Sequence, residues 1–493
     1  MIEKVAINEG LKLADYEAIA HLSEAVRALR AEAKDLVSRL KGRTVWMVNS
    51  TARGGGVAEM LPQMVTIFRE LGVNMEWVVI GSSDPRFFRL TKQLHNLIHG
   101  SPTPQLTGDD RALYDAVSRE NADSFRAHLR AGDLLVVHDP QPLGMGALLR
   151  QEVDVRAVFR CHIGLDEVTT HTRSAWGFLK TYAEFYDHSI FTTTEYIPDF
   201  LKGSAGVIRP AIDPLGHKNR DLRLTRLMGV LCNSSLVSEQ QSIVPLDYTH
   251  TVMRLDANRQ FVSIKPSSGI GIPFRPIVTQ ISRWDRLKGF KHLLDGFVQL
   301  KKHVENNNSN KDDEHLRRLQ LVRLVLAGPE PAAVADDPEA TEVLDELITK
   351  YVELPKVLQE EIAIVSLPMT VKKENELIVN ALQRSSTVIV QNSLREGFGL
   401  TVTEAMWKRA AVLGSSACGI RQQIRDGVDG WLIQNPEDPD EISTKLNEIL
   451  KNSSGRVKAG QTAQRRVRDE FLVFSQVSSW LKTLVERVSN WTT

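Results

Sequence analysis

Short apolar runs recur along the chain of 493 residues, separated by patterns of helical period. The first is TVWMVN (Thr44–Asn49). The turn STARGGG follows, then a helical pattern over 57–71, then MEWVVI (Met75–Ile80). Runs of this length, rich in valine and isoleucine, read as strands buried on both faces. Strands that alternate with helices predict a parallel sheet. The pattern returns in LLVVH (Leu134–His138), AVFR (Ala157–Arg160) and SIFTT (Ser189–Thr193). A second series holds PIVTQIS (Pro276–Ser282), VRLVLAG (Val322–Gly328), IAIVSLP (Ile362–Pro368), TVIVQ (Thr387–Gln391), AAVLGS (Ala410–Ser415) and GWLI (Gly430–Ile433). The expected fold class is therefore α/β, with two Rossmann-like, doubly wound domains over 1–214 and 275–470 facing a central cleft. Residues 215–274, ending in the Gly-, Ser- and Pro-rich SIKPSSGIGIPFRP, read as a connection. Ligands of open α/β sheets bind beyond the carboxyl ends of the strands.

Composition excludes several classes. Lys+Arg and Asp+Glu both number 61, so the formal charge is zero, and neither nucleic acid nor an anionic membrane is an expected partner. Cys161, Cys232 and Cys418 are far apart and lack metal-ligand spacing, which fits a reducing compartment. The N-terminal segment has no apolar core of a secretory signal, and no apolar run approaches the length of a membrane span. A cytoplasmic location is the expectation.

The chemistry concentrates in REGFGLTVTEA (Arg395–Ala405). Two carboxylates eight positions apart on one helix would be roughly 80° out of line, at roughly 100° per residue. With Glu396 in the preceding loop and Glu404 in the early turns of the helix, both can face one ligand. Gly397 and Gly399 keep side chains off the loop, so that backbone N–H groups approach an anion at the helix start. Upstream, QISRWDRLKGF places Arg283 and Lys288 between a strand and a helix. They read either as a solvated cluster or as two cations that neutralise a departing diphosphate. Arg286 reads as a further surface charge. In the first half the turn RGGGV (Arg53–Val57) is either a tight strand-to-helix turn or an anion cradle built on Gly54, Gly55 and Gly56. It is neither a Walker A sequence nor GxGxxG. Glu59 suits the first turn of the next helix as a dipole partner. His138 (before Asp139) and His162 stand at strand ends, as structural groups or as contacts to sugar hydroxyls. His95 and Asn96 in LHNLIHG read as a buried pair or as an acceptor contact. ADDPEAT (Ala335–Thr341) lines a site or starts a helix, and ENNNSNKDDEH (Glu305–His315) is a polar loop. No carboxylate pair with DxD spacing stands beside these motifs, so no metal site is expected.

REGFGLTVTEA, with a glutamate on each side of seven residues, resembles the EX7E motif of retaining glycosyltransferases with the GT-B fold, and SRWDRLKG resembles the phosphate loop of their GT4 family. VNSTARGGGVAEML, HNLIHG, VVHDPQP, RCHIG, PAIDPL and NALQRSSTVIVQNSLREGFGLTVTEA are together similar to the trehalose synthase (glycosyltransferring) and trehalose phosphorylase branch. The resemblance implies that Glu396 holds the donor hexose, and that the backbone of Gly397, Phe398, Gly399 and Leu400 approaches sugar and diphosphate. It implies that Glu404 holds the ribose, that Arg283 and Lys288 take the diphosphate helped by Gly54, Gly55 and Gly56, and that His162 contacts the donor sugar. His95, Asn96, His138 and Asp139 are the expected acceptor side. The terminal segment 471–493 is expected to pack back on the first domain. The implied enzyme is a retaining hexosyltransferase that makes trehalose from glucose and an NDP-glucose (UDP-, ADP- or GDP-glucose), with no other cofactor. The alternatives are a trehalose phosphorylase and a non-catalytic sugar-nucleotide-binding protein. Small sugars are the expected partners, with a homodimer as the assembly.

Overall fold

The computed structural model describes residues 2–7, 10–52, 56–237, 248–265, 268–306, 314–330 and 338–488. The chain divides into two compact units, one made by residues 1–213 with 471–493 and the other by residues 214–470.

The first unit is built on a sheet of seven strands. These are β1 (Glu3–Lys4), β2 (Val45–Asn49), β3 (Met75–Val79), β4 (Leu134–His138), β5 (Arg156–Arg160), β6 (His188–Phe191) and β7 (Ala205–Val207). Their spatial order is β1-β3-β2-β4-β5-β6-β7, parallel except for the antiparallel edge strand β1. Every residue of β2 and β4 is buried, as expected of strands covered by helices on both faces. The chain leaves β2 in one direction to β3, then returns to the other side of β2 as β4. This reversal makes a topological switch point between β2 and β4, which opens a crevice at their carboxyl ends. His138 and Asp139 stand there.

Asp133 fixes the start of this layer. It is 2% exposed, and its carboxylate accepts from the backbone N–H of Thr44 (2.8 Å) and Arg130 (3.0 Å) and from Trp46 Nε1 (3.0 Å). Three donors from two segments thus converge on one buried acceptor. The segment from Phe471 returns to this unit. Ile212 N donates to Phe471 O (2.9 Å) and Val473 N to Ile212 O (3.0 Å). The helix Val473–Lys482 then sets Phe474 edge-on to Tyr16, with ring centroids 5.1 Å apart.

Among the described residues the second unit holds eight strands: β8 (Met253–Leu255), β9 (Phe261–Ser263), β10 (Ile277–Ile281), β11 (Arg323–Pro329), β12 (Ile362–Leu367), β13 (Val388–Gln391), β14 (Ala411–Ser415) and β15 (Trp431–Ile433). Their order is β15-β14-β13-β10-β11-β12-β8-β9. Alternation sorts the core: Val278, Leu324, Leu326 and Ile364 pack into the cluster on one face, Ile277, Ile281, Val325 and Val365 into that on the other. The switch point lies between β10 and β13, so the loops after Ile281 and Gln391 share one crevice.

Residues 215–274, expected to be a connection, belong instead to this second unit. They supply the helix Leu224–Asn233 and the antiparallel edge strands β8 and β9. Each strand is three residues long, too short to show a period. The edge is held by Arg254, 8% exposed, whose guanidinium donates to the carbonyls of Ser268 (2.5 Å) and Ile362 (3.0 Å). The polar stretch Glu305–His315 is described only at its ends, which close the helix Phe290–Asn306 and open the helix Glu314–Leu321; 307–313 lie outside the described residues, as do Ala335–Asp337 of ADDPEAT. Pro338 begins a helix to Val352. Among the described residues no helix is long and apolar enough to cross a membrane.

Asp133→Ala should leave three donors without their acceptor, the buried Trp46 indole among them. The expected cost is about 3 kcal/mol or more in the stability of the first unit, read as a lower midpoint in thermal unfolding. An unchanged midpoint would refute the anchoring role.

Candidate active site

In the second unit, two loops at the switch point are bound to each other. After β10 the chain enters a 3-10 turn at Arg286–Lys288, capped by Asp285, whose carboxylate accepts from Leu287 N (2.8 Å). Trp284 is fully buried, stacks near Phe290 (4.9 Å between centroids) and donates from Nε1 to Pro329 O (2.8 Å). Gly289 ends the turn in the left-handed region (φ 62°), and a Cβ there would lie 2.2 Å from Asn392 O. Only glycine meets both demands. The second loop is tied to this turn by Gln280, whose side chain donates to Lys288 O (2.7 Å) and accepts from Asn392 N (3.0 Å). Leu394 N donates to Leu287 O (2.7 Å).

These restraints place Lys288 against Glu396, with Nζ 2.5 Å from Oε2 and side chains only 15% and 13% exposed. Ser393 Oγ donates to the same oxygen (2.9 Å) and accepts from Gln391 Nε2 (2.9 Å). Arg283 is more exposed and sits 3.6 Å from Asp285. Arg286 engages Glu339, Glu342 and Glu346 of the helix Pro338–Val352. The Arg286 guanidinium, with Lys291, holds the Glu346 carboxyl down at about 2. Arg286 is thus committed to that helix.

Glu396 lies in the loop and Glu404 on the following helix, Leu400–Trp407. Gly399 precedes that helix with φ 82°, a conformation costly for other residues. The buried side chain of Gln423 donates to the carbonyls of Phe398, Gly399 (3.3 Å) and Gly419 (3.0 Å) and accepts from the Thr403 hydroxyl. With the loop held from its carbonyl side, the first N–H groups of the helix, which lack intrahelical acceptors, are the natural anion contact. Glu404 is 7% exposed, and its Oε1 lies 3.8 Å from Lys218 Nζ. One turn on, Lys408 is buried and donates to Gln383 Oε1 (2.7 Å), Asn219 Oδ1 (3.2 Å) and Glu404 O (3.1 Å). Burial lowers its amine to about 7, against the pull of the Glu404 charge.

In the first unit, His138 and His162 meet. Nδ1 of His138 is 3.0 Å from Nε2 of His162, and Nε2 of His138 is 3.5 Å from Met47 Sδ. His138 is 1% exposed with both ring nitrogens engaged by protein. Both ring nitrogens of His138, expected on the acceptor side, are thus turned to protein groups. Asp139 has φ 63°. Its carboxylate accepts from His162 N (2.7 Å), and its own N–H donates to Arg160 O (2.8 Å). Arg160 is 1% exposed, and its Nη1 is buried with no hydrogen-bond partner. Burial lowers His138 to about 3 and His162 well below the usual histidine value, and the Arg160 charge adds to both. Burial also raises Asp139 to about 6, opposed by the His162 N–H and by Arg160. His95 and Asn96 lie half-buried on the helix Pro85–Ile98, with the His95 ring 4.7 Å from that of His99. Arg53, Gly54 and Gly55 lie outside the described residues, and Gly56 opens the helix Gly56–Glu70, with Glu59 in its first turn. Among the described residues no group of three or more His, Cys, Asp or Glu is arranged to hold a metal ion.

Residues 47–198 match the family described as trehalose synthase, N-terminal domain, and residues 272–466 match glycosyl transferases group 1. A trehalose synthase of Pyrococcus horikoshii is 32% identical over 96% of both chains. The chain belongs to the trehalose synthase family. Membership makes it an enzyme of the glycosyltransferase class. A trehalose phosphorylase of Pleurotus pulmonarius is 24% identical over 90% of this chain and 57% of its own. The structure also resembles an alpha,alpha-trehalose-phosphate synthase (UDP-forming) from Burkholderia vietnamiensis (TM-score 0.64, 15% identity, 90% of this chain and 98% of that one). The fold is thus GT-B.

Sequence reasoning missed Lys218, Lys408, Arg160, Gln280 and Gln423. Lys408 had a signal, since it lies four positions after Glu404 on the same helix face. Arg160 had another, a cation that closes the apolar run Ala157–Phe159 and is itself buried.

Burial of neutral histidines has a pH signature. The unfolded chain takes up protons at His138 and His162 near 6.5, while the folded unit does so only far below, so their contribution is present above 6.5 and lost as pH falls. Asp139, with its raised value of about 6, works the other way and is relieved by acid. Two groups outweigh one. Between about pH 7 and 5.5 the first unit should lose about 1–2 kcal/mol, seen as a midpoint a few degrees lower, and His162→Asn should flatten the dependence. A midpoint that rises over this interval would contradict the assignment.

Proposed function

We propose that this chain transfers glucose from an NDP-glucose to glucose, with retention, to form trehalose. The observation that carries the reading is the Lys288–Glu396 pair, fixed at the switch point of the second sheet by Gln280, Asn392 and Gly289. In this reading the donor diphosphate competes for the Lys288 ammonium, Arg283 meets the same anion from a more exposed position, and the helix starting at Leu400 adds its N-terminal N–H groups. Negative charge grows on the diphosphate as the glycosidic bond breaks, so preorganised cations act most strongly in the transition state. Glu396 accepts from hydroxyls of the donor hexose and Glu404 from those of the ribose. The acceptor hydroxyl arrives on the face the diphosphate leaves, and the departing phosphate oxygen takes its proton.

The choice of glucose, of trehalose and of a nucleotide donor is supported by the family and by its similar synthases. The test is product analysis after incubation with UDP-, ADP- and GDP-glucose and a panel of sugars. A non-reducing disaccharide is the expected product. Release of glucose 1-phosphate from trehalose and phosphate, with no disaccharide from any nucleotide sugar, would replace the reading by phosphorolysis. Lys288→Ala should lower kcat by roughly 10²–10³, and near-normal turnover in that variant would refute the diphosphate role.

A further inference from the structure

We propose that His138 is a positioning residue that fixes the ring tautomer of His162, so that His162 presents a bare, proton-accepting Nδ1. The argument begins with the ring geometry. The two imidazoles are tilted by only 11°, and their centroids lie 5.3 Å apart. That separation exceeds the 3.0 Å N···N distance by about two ring radii. The rings therefore meet edge to edge in nearly one plane, not face to face. Such a contact aligns an N–H with the in-plane lone pair of its acceptor, the favourable geometry for a hydrogen bond.

Only one proton lies between the two rings, and the far side of His138 decides which ring carries it. Nε2 of His138 faces Met47 Sδ at 3.5 Å. A thioether accepts weakly and never donates. Were His138 protonated at Nδ1, its Nε2 lone pair would be buried against sulfur without a donor, at the full cost of an unsatisfied acceptor. Protonation at Nε2 gives the sulfur a donor and frees Nδ1 to accept. The proton between the rings then belongs to Nε2 of His162, and Nδ1 of His162 is left with its lone pair. The cation of Arg160 and the burial of both rings oppose an imidazolium, which would allow donors at all four nitrogens. Asp139 holds the His162 backbone through its N–H (2.7 Å). Among the described residues Nδ1 of His162 has no hydrogen-bond partner.

A bare Nδ1 recognises a group that brings its own proton. A hydroxyl satisfies it, whereas a carbonyl, a carboxylate or a fully ionised phosphate does not. The chain Met47–His138–His162 thus turns a buried thioether into a selector for a sugar hydroxyl. The kinetic consequence rests on the function proposed above; the tautomer does not.

Two measurements test it on the full-length protein. Long-range ¹⁵N spectra of histidine-labelled enzyme, assigned with His138→Asn and His162→Asn, should show both rings protonated at Nε2 and bare at Nδ1 at neutral pH. A His162 protonated at Nδ1, or at both nitrogens, would overturn the proposal whether or not the protein transfers glucose. In the kinetic arm, asparagine at 138 keeps an acceptor near the Nδ1 position, and leucine does not. His138→Leu should lower kcat/KM for the sugar donor by roughly tenfold to a hundredfold, the effect of one lost or mismatched buried hydrogen bond, and His138→Asn should recover most of it. Equal losses in two folded variants would overturn the positioning role. Absence of transfer by the unaltered enzyme, with the expected spectra, would count against the proposed function alone.

Discussion

One buried amide holds the second unit's site together. Gln280 lies in the central strand β10, is fully buried, and satisfies Lys288 O on one loop and Asn392 N on the other. A parallel sheet supplies the crevice, because the chain reverses its winding between β10 and β13. It does not by itself set the distance between the loops that rim the crevice. Gln280 does, since an amide left with one partner would pay the desolvation of the other half. Lys288 and Glu396 stand 2.5 Å apart because their backbones are held by this third residue. A salt bridge between two long, free side chains would be worth little.

The first unit solves a different problem with the same economy of means. Its switch point lies between β2 and β4, and the groups there are neutral histidines with a buried arginine. A single cation such as Arg160, deprived of water, is expensive. It is tolerated beside Asp139, whose carboxylate is itself held by a backbone N–H. The charge of Arg160 then disfavours a proton on either histidine. What results is a hydrogen-bonding surface of fixed polarity without a net positive ring, suited to hydroxyls more than to phosphates. The second unit presents lysine and helix N–H groups, suited to anions.

Much of this was readable from residues. The five inner strands of the first sheet and six of the second announced themselves as short valine- and isoleucine-rich runs, because strands covered on both faces must be apolar throughout. Glu396 and Glu404 were placed correctly on loop and helix by the angle a helix imposes. The edge strands β8 and β9 were not legible, since three residues carry no period and Arg254 interrupts the apolar pattern. Gln280, Gln423 and Lys218 were equally silent. Their roles depend on side-chain amides and an amine reaching groups from 4 to 186 positions away, and no local pattern encodes such a set of pairings. His138 was visible as a histidine at a strand end, but its partners come from elsewhere, Met47 from β2 and His162 from the loop after β5.

Lys408 shows why the helix carrying Glu404 needs more than its carboxylate. An amine buried among Gln383, Asn219 and the Glu404 carbonyl has three acceptors, so it satisfies all three of its N–H donors as an ammonium. As a neutral amine it would leave one acceptor without a proton. Burial pulls toward the neutral form and brings the amine to about 7, while the nearby Glu404 carboxylate pulls toward the cation. The hydrogen bonds and the carboxylate therefore act in the same direction. A ligand that hydrogen-bonds Glu404 spreads its negative charge and weakens one of these supports without touching Lys408. Lys408, bonded to the Glu404 carbonyl, and Lys218, beside its carboxylate, thus flank Glu404, and neither is a group that the EX7E spacing alone reveals.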